Sequence, residues 1–307
     1  MGEDLERLLR ERGGVVLRDE LLAIGIGQDQ LYRQLRSGVW RARGRKVVVH
    51  ATAREGLLTD SIVAGLLCSG AILTGPSAAL IRPNPAWAGR TFRGHRAMLI
   101  APRSSKTRPW LTVRHPGAQS DVVHGLRIAT AHTILVDLLR FLPWSEAAAI
   151  AGAAHQHRVT SPEKLEASTN FLRGAAGAPQ LKRLVRAMLD GAESGPEIDL
   201  HEALRSAQIR GWVANRTVSF GGRLLRPDVV FPNERIAVEY DGMTAHAAES
   251  IFHTDRDRIR DMQFSQWLVL PITKRTLYAD VARRDFLGAL QVLIGQRRAA
   301  APCDIAG

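Results

Sequence analysis

Cysteine is nearly absent: the 307 residues contain two, Cys68 and Cys303. Two thiols make neither a disulfide framework nor, alone, a zinc cluster, and their scarcity fits a reducing compartment. Long apolar runs are missing too. The most apolar stretch, residues 62–68, is far short of the ~20 residues that cross a bilayer. The acidic amino terminus has no apolar run and is not a signal peptide. A cytoplasmic protein with no membrane partner is expected. Walker A, GxGxxG, nucleophile-elbow and zinc-ligand spacings are all lacking, which disfavours nucleotide-driven, redox and serine-hydrolase chemistry.

Acidic residues are missing from two stretches. Residues 31–54 contain seven Lys and Arg, and residues 61–120 contain eight, with no Asp or Glu in either. The whole chain carries a formal net charge of +12, yet residues 195–307 hold 15 basic against 14 acidic side chains, so the excess lies in the first two thirds. An uneven basic charge of this kind marks a surface for a polyanion, most simply nucleic acid.

The first part reads as short helices. Leu5, Leu8 and Leu9 have helical spacing, stopped by Gly13 and Gly14. Asp19 caps a second helix over 20–23, and a third runs from about Gln28 to Leu35. Residues 39–49 then read as a hairpin with Gly44 near its tip. Three short helices followed by a basic hairpin is a winged helix-turn-helix pattern. Tyr32, Arg33 and Arg36 are the groove-facing candidates of the third helix, and Arg41, Arg43, Arg45 and Lys46 place positive charge where a wing meets phosphates. A three-helix interaction module with a soluble basic face is the plainer alternative. Residues 61–120 read as mixed helix and strand, and residues 130–190 as helices whose apolar stripes are core.

The chemistry is concentrated in residues 221–242. Residues 224–231 and 235–240 are strand-like, separated by Pro232, Asn233 and Glu234. A two-residue turn at Asn233 and Glu234 sets Asp228 opposite Glu239 and Arg226 opposite Asp241. Alternation then puts Asp228, Glu239 and Asp241 on one face of an otherwise apolar hairpin. Two carboxylates ~5 Å apart repel by about 3 kcal/mol at an effective dielectric of ~20. A shared proton or a cation relieves that, and oxygen ligands suit Mg²⁺ or Mn²⁺. The alternative is an edge hairpin whose acids pair with Arg223, Arg226 and Arg235.

Pro227-Asp228, followed after ten residues by Glu239-Tyr240-Asp241, resembles the core of the PD-(D/E)xK nucleases, with Asp241 in the usual Lys position. The longer pattern of Arg226 to Asp228, Val238 to Gly242, His246, Asp255, Arg256, Arg258 and Trp267 to Leu270 resembles the endonuclease domain related to very-short-patch repair enzymes. The first 50 residues resemble the winged helix of AbiEi-type antitoxins, which are transcriptional repressors. The nuclease resemblance implies metal ligation by Asp228 and Glu239. It also implies an acidic residue on the first helix near the metal, a position that Glu197 matches. Ser194-x-x-Glu197 is equally a capping box. With Lys replaced, His246 becomes the candidate for proton transfer, and Arg256 the candidate for reaching phosphate.

These readings predict a multidomain α/β chain: a winged helix-turn-helix over 1–54, a mixed α+β then helical connecting region over 55–190, a restriction-endonuclease-like α/β domain over 194–297, and a tail over 298–307. The expected function is a Mg²⁺- or Mn²⁺-dependent DNA endonuclease with its own DNA-binding module, in repair or defence. The alternative is a non-enzymatic, antitoxin-like transcriptional regulator whose nuclease-like domain is degenerate. DNA is the expected partner, and a homodimer is compatible with the sequence.

Overall fold

The computed structural model describes residues 2–101, 110–113, 115, 118–220, 223–241 and 267–300. It is mixed α/β with several small sheets. Two compact units divide the chain: residues 1–142 with 167–181, and residues 143–166 with 182–307. Among the described residues no helix is long and apolar enough to cross a membrane.

The first unit begins with α1 (Gly2–Glu11), β1 (Val15–Leu17), α2 (Arg18–Ala23), α3 (Gln28–Arg36), β2 (Trp40–Arg43) and β3 (Val47–His50). The three strands form an antiparallel sheet in the order β1-β3-β2. Val16, Leu21, Ile26, Leu31, Trp40 and Val48 make the core beneath it. Trp40 and Val47 to Val49 of this hairpin are buried, whereas Arg43, Arg45 and Lys46 near its tip are exposed. Asp19 does not cap α2. The helix begins one residue before it, and the Glu20 carboxylate reaches back to accept the Leu17 N–H at 2.9 Å while pairing with Arg12 at 2.8 Å. A longer side chain at the third helical position makes that reach, so the cap comes from the other acid.

The unit continues with α4 (Leu57–Leu67), β4 (Ile72–Leu73), α5 (Gly75–Ile81), β5 (Met98–Ile100), β6 (Leu111–Val113), β7 (Ser120–Val123), β8 (Leu126–Ala129) and α6 (Ala131–Phe141). Its five-stranded sheet has the order β6-β5-β4-β8-β7. Leu73, Leu99 and Ile128 are fully buried in that sheet, and Ile134, Leu135, Leu138 and Leu139 of α6 are buried with them.

The second unit holds α7 (Trp144–Gln156). Helices α8 (Pro162–Phe171) and α9 (Ala178–Leu189) cross the unit boundary. The second unit continues with α10 (Gly195–Ser206), β9 (Val213–Ala214), β10 (Val218–Phe220), β11 (Arg223–Leu225), β12 (Val229–Phe231), β13 (Ile236–Asp241), β14 (Leu268–Thr273), α11 (Lys274–Tyr278) and α12 (Asp280–Ala300). Its main sheet has the order β14-β13-β12-β9, with β13 and β14 parallel and the other pairs antiparallel. One face buries Val229, Phe231, Ile236 and Val238 against Leu200, Leu204, Leu290 and Ile294 of α10 and α12. The other face buries Val230, Ala237 and Val269 beneath Val218, Leu225 and Trp267.

The single strand expected over 224–231 is two strands. β11 ends at Leu225 and pairs with β10, and β12 starts only at Val229. Pro227 between them has no N–H to give a ladder, which is where a strand breaks most readily. Arg226 consequently leaves the hairpin: its Nε donates to the Asn215 carbonyl at 2.8 Å and its Nη2 pairs with Glu193 at 2.5 Å.

α7 and α10 approach closely because Gly152 and Gly195 face each other. A Cβ on Gly152 would overlap the Gly195 nitrogen and the Ser194 carbonyl carbon, and one on Gly195 would press on the Ala149 Cα. Backbone cannot give way as a side-chain tip can. Gly152→Ala is therefore expected to destabilise the protein by about 1–3 kcal/mol, read as a lower urea midpoint. Gly288→Ala, in α12 with open space around it, should be neutral or slightly stabilising.

Candidate functional site

On the first unit, α3 buries Leu31 and turns Tyr32, Arg33 and Arg36 to solvent, with Tyr32 62% exposed. Trp40 fixes the hairpin to this helix: its indole Nε1 donates to Gln34 Oε1 at 3.1 Å, and its ring meets His50 edge-on at 4.9 Å. Arg43, Arg45 and Lys46 are exposed at the hairpin's end, and Arg41 is half-buried. The helix and hairpin residues expected to meet DNA thus lie on the outer surface of one small sheet-and-helix core.

The hairpin is less free than its sequence implies. Glu55, one residue past the acid-free stretch, pairs with Arg41 at 2.5 Å and lies 3.8 Å from Arg43. Both contacts are exposed, so each is worth at most about 1 kcal/mol. A phosphate must still displace them. Glu55→Gln is expected to tighten duplex DNA binding about two- to fivefold at low salt, by anisotropy titration. Unchanged affinity would mean that Arg41 and Arg43 do not face DNA.

On the second unit, the register pairs Val229 with Val238, Val230 with Ala237 and Phe231 with Ile236. This is the register that the two-residue turn predicts. Continued one position, it sets Asp228 against Glu239. Asp228 lies in the bend just before β12, so strand alternation places only Glu239 and Asp241, on the face of Ala237. Asp228 Oδ2 also accepts the Tyr240 N–H at 2.6 Å, so this carboxylate closes the open end of the hairpin. Glu239 is half-buried and Asp241 exposed, the latter ending β13 beside Thr273 of β14.

Glu197 is fully engaged at the start of α10. Its Oε1 accepts from Ser194 Oγ at 2.7 Å, while Oε2 accepts the Glu193 N–H at 3.0 Å and Asn215 Nδ2 at 2.7 Å. The Glu197 N–H in turn donates to Ser194 Oγ at 3.3 Å. Ser194 therefore caps the helix. The Glu197 carboxylate takes the Glu193 N–H and the Ser194 hydroxyl in place of the Ser194 N–H, so the reciprocal half of the expected capping box does not form. Asn215 supplies a further partner. Asn215 adopts a left-handed backbone at φ 49°, donates its N–H to the Asp228 carbonyl at 3.1 Å and donates its side chain to Gly191 O at 2.7 Å. Helix start, edge strand and Asp228 are thereby tied through one asparagine that sequence reasoning does not single out. An Asn in an αL position was the available signal.

A second cluster escapes the sequence reading. Asp199 Oδ1 accepts from Trp144 Nε1 at 2.6 Å and Oδ2 from the Tyr278 hydroxyl at 2.7 Å. Burial raises the Asp199 pKa, and burial together with this hydrogen bond raises that of Tyr278. Tyr240 is raised by burial and by the charges of Asp199 and Asp241. His201 is fully buried against the Trp212 ring at 4.7 Å, and burial lowers its pKa to about 4, so the ring is neutral at pH 7.

His246 and Arg256 lie outside the described residues, as do Asp255 and Arg258. Among the described residues no group of three or more His, Cys, Asp or Glu could hold a metal ion. No protein-family model matches the chain, and no curated protein matches it.

Proposed function

We propose that the protein is a Mg²⁺- or Mn²⁺-dependent DNA endonuclease that carries its own DNA-binding module. The observation that supports this most is the β12–β13 register, which pairs Val229 with Val238 and, continued one position, would bring Asp228 opposite Glu239. Mg²⁺ keeps several waters and takes one or two carboxylates plus substrate phosphates. A pair of strand carboxylates fits that habit better than a closed cage would. Asp228 and Glu239 would hold the ion. When bound, it supplies Lewis-acid polarisation of a phosphoryl oxygen and a more acidic water.

The other groups have distinct tasks in this reading. Asp241 adds negative charge to the same face. His246 passes a proton at the leaving oxygen, and Arg256 contacts phosphate. Glu197 holds Asp228 through Asn215 and is a positioning residue. Tyr32, Arg33, Arg36, Arg41, Arg43, Arg45 and Lys46 bind the duplex.

The test is incubation with supercoiled plasmid. Nicked or linear product is expected with Mg²⁺ or Mn²⁺ and not with EDTA. A second reading, a transcriptional regulator that binds without cutting, draws on the structural use of Asp228, whose Oδ2 already accepts the Tyr240 N–H. Tight binding with intact plasmid under both metals would favour it.

A further inference from the structure

A cleft of about 810 Å³ opens on the second unit beside β9, the edge strand of the main sheet. Three arginines line it: Arg186 from α9, Arg205 from α10, and Arg210 in the turn after α10. Asp190 is the one carboxylate in the lining and serves two of them, paired closely with Arg205 and 3.9 Å from Arg186. Among the described residues Arg210 has no ion pair, and Arg205 Nη1 is buried with no hydrogen bond. The lining therefore carries two positive charges in excess. The Arg205 guanidinium lies 5.2 Å from the centroid of Trp212, whose ring also lines the cleft.

We infer that this cleft holds the phosphodiester backbone of a DNA strand. An under-neutralised arginine cluster suits phosphate, which guanidinium groups recognise through paired N–H donors. The cleft also has a direction. From Trp212 the chain runs through β9 to Asn215, whose N–H meets the Asp228 carbonyl. Three extended residues span about 10 Å, the axial rise of about three nucleotides of one strand. The cleft would thus grip the backbone a few nucleotides from the Asp228 site. That the occupant is DNA rests on the endonuclease reading, whereas the excess of charge stands without it.

The experiment is done in EDTA, so binding is read without cleavage. In the full chain, Arg43, Arg45 and Lys46 are first replaced by Ala to lower the hairpin's contribution. Into this background go Arg186→Ala with Arg210→Ala. As a charge-matched control, Arg158→Ala with Arg275→Ala removes exposed arginines of the same unit outside the cleft. Arg205 is left in place because it packs on Trp212. Duplex affinity is measured across salt concentrations. The cleft variant should flatten the slope of log K against log salt by about 1.8, at 0.9 per phosphate contact, and the control should not. Asp190→Asn, which frees two guanidinium groups, should tighten binding. A cleft variant that matches its control overturns the inference. Line broadening of inorganic phosphate in ³¹P NMR that disappears in the cleft variant, without a change of slope, overturns it in favour of a free-phosphate site. If wild type fails to cut plasmid, the endonuclease reading falls while the slope still decides the cleft.

Discussion

Asp228→Asn and Glu239→Gln are each expected to lower the rate of plasmid cleavage by about 10²–10³-fold, the usual scale for removing one group that stabilises charge in a transition state. Both substitutions keep shape, remove one negative charge and exchange one acceptor oxygen for an NH2 donor. The carboxamide oxygen of the Asp228→Asn variant can still accept the Tyr240 N–H that Asp228 Oδ2 receives at 2.6 Å, so the hairpin should persist with unchanged circular dichroism. Asn215→Ala should act differently. It removes the Nδ2 donor to Glu197 and Gly191 and leaves both carboxylates, so a smaller loss, about 10–100-fold, is expected. Equal activity of wild type and both carboxylate variants would leave Asp228 with a structural role and no catalytic one.

The second large effect is on stability. Asp137 of α6 is fully buried, with Oδ1 paired to Arg140 at 2.6 Å and to His115 at 3.2 Å, and Oδ2 accepting from Thr74 at 2.7 Å. Arg140 is also buried and donates from Nε and Nη2 to the Ala176 carbonyl at 3.0 and 2.6 Å. This network joins the end of β4, α6 and the turn before α9. Asp137→Ala leaves a buried guanidinium without its counter-charge, and removing one partner of such a pair costs about 3–5 kcal/mol. Urea unfolding should show it as a sharply lower midpoint. Asp121→Ala, which breaks the largely solvent-exposed pair with Arg82, should cost at most about 1 kcal/mol.

What can be read in advance divides by sequence distance. The β12–β13 register is the one that the two-residue turn predicts, although the connection is a four-residue turn over 232–235 and β13 starts at Ile236, so the spacing between the two apolar runs carries it. The Ser194–Glu197 contact is likewise local, and half of the expected box forms: Ser194 Oγ accepts the Glu197 N–H, while the Glu197 carboxylate takes the Glu193 N–H and not that of Ser194. Contacts made over long separations leave no such mark. Glu197 meets Asn215 across 18 residues and Asp199 meets Tyr278 across 79; neither pair has a spacing that a periodicity can carry. Glu55 escapes for another reason. A charge count over residues 31–54 stops one residue short of the acid that pairs with Arg41. The break at Pro227 is visible in principle, since proline cannot donate to a ladder, but the apolar run on either side outweighs it.

Whether Asp228 and Glu239 together hold a divalent cation can be measured without any cleavage. Mn²⁺ is titrated into the metal-free protein and followed by the loss of its free-ion electron paramagnetic resonance signal. Wild type should take up Mn²⁺, Mg²⁺ should compete for it, and Asp228→Asn and Glu239→Gln should each weaken uptake by at least about tenfold. Uptake that is the same in wild type and both variants would contradict cation binding by this pair.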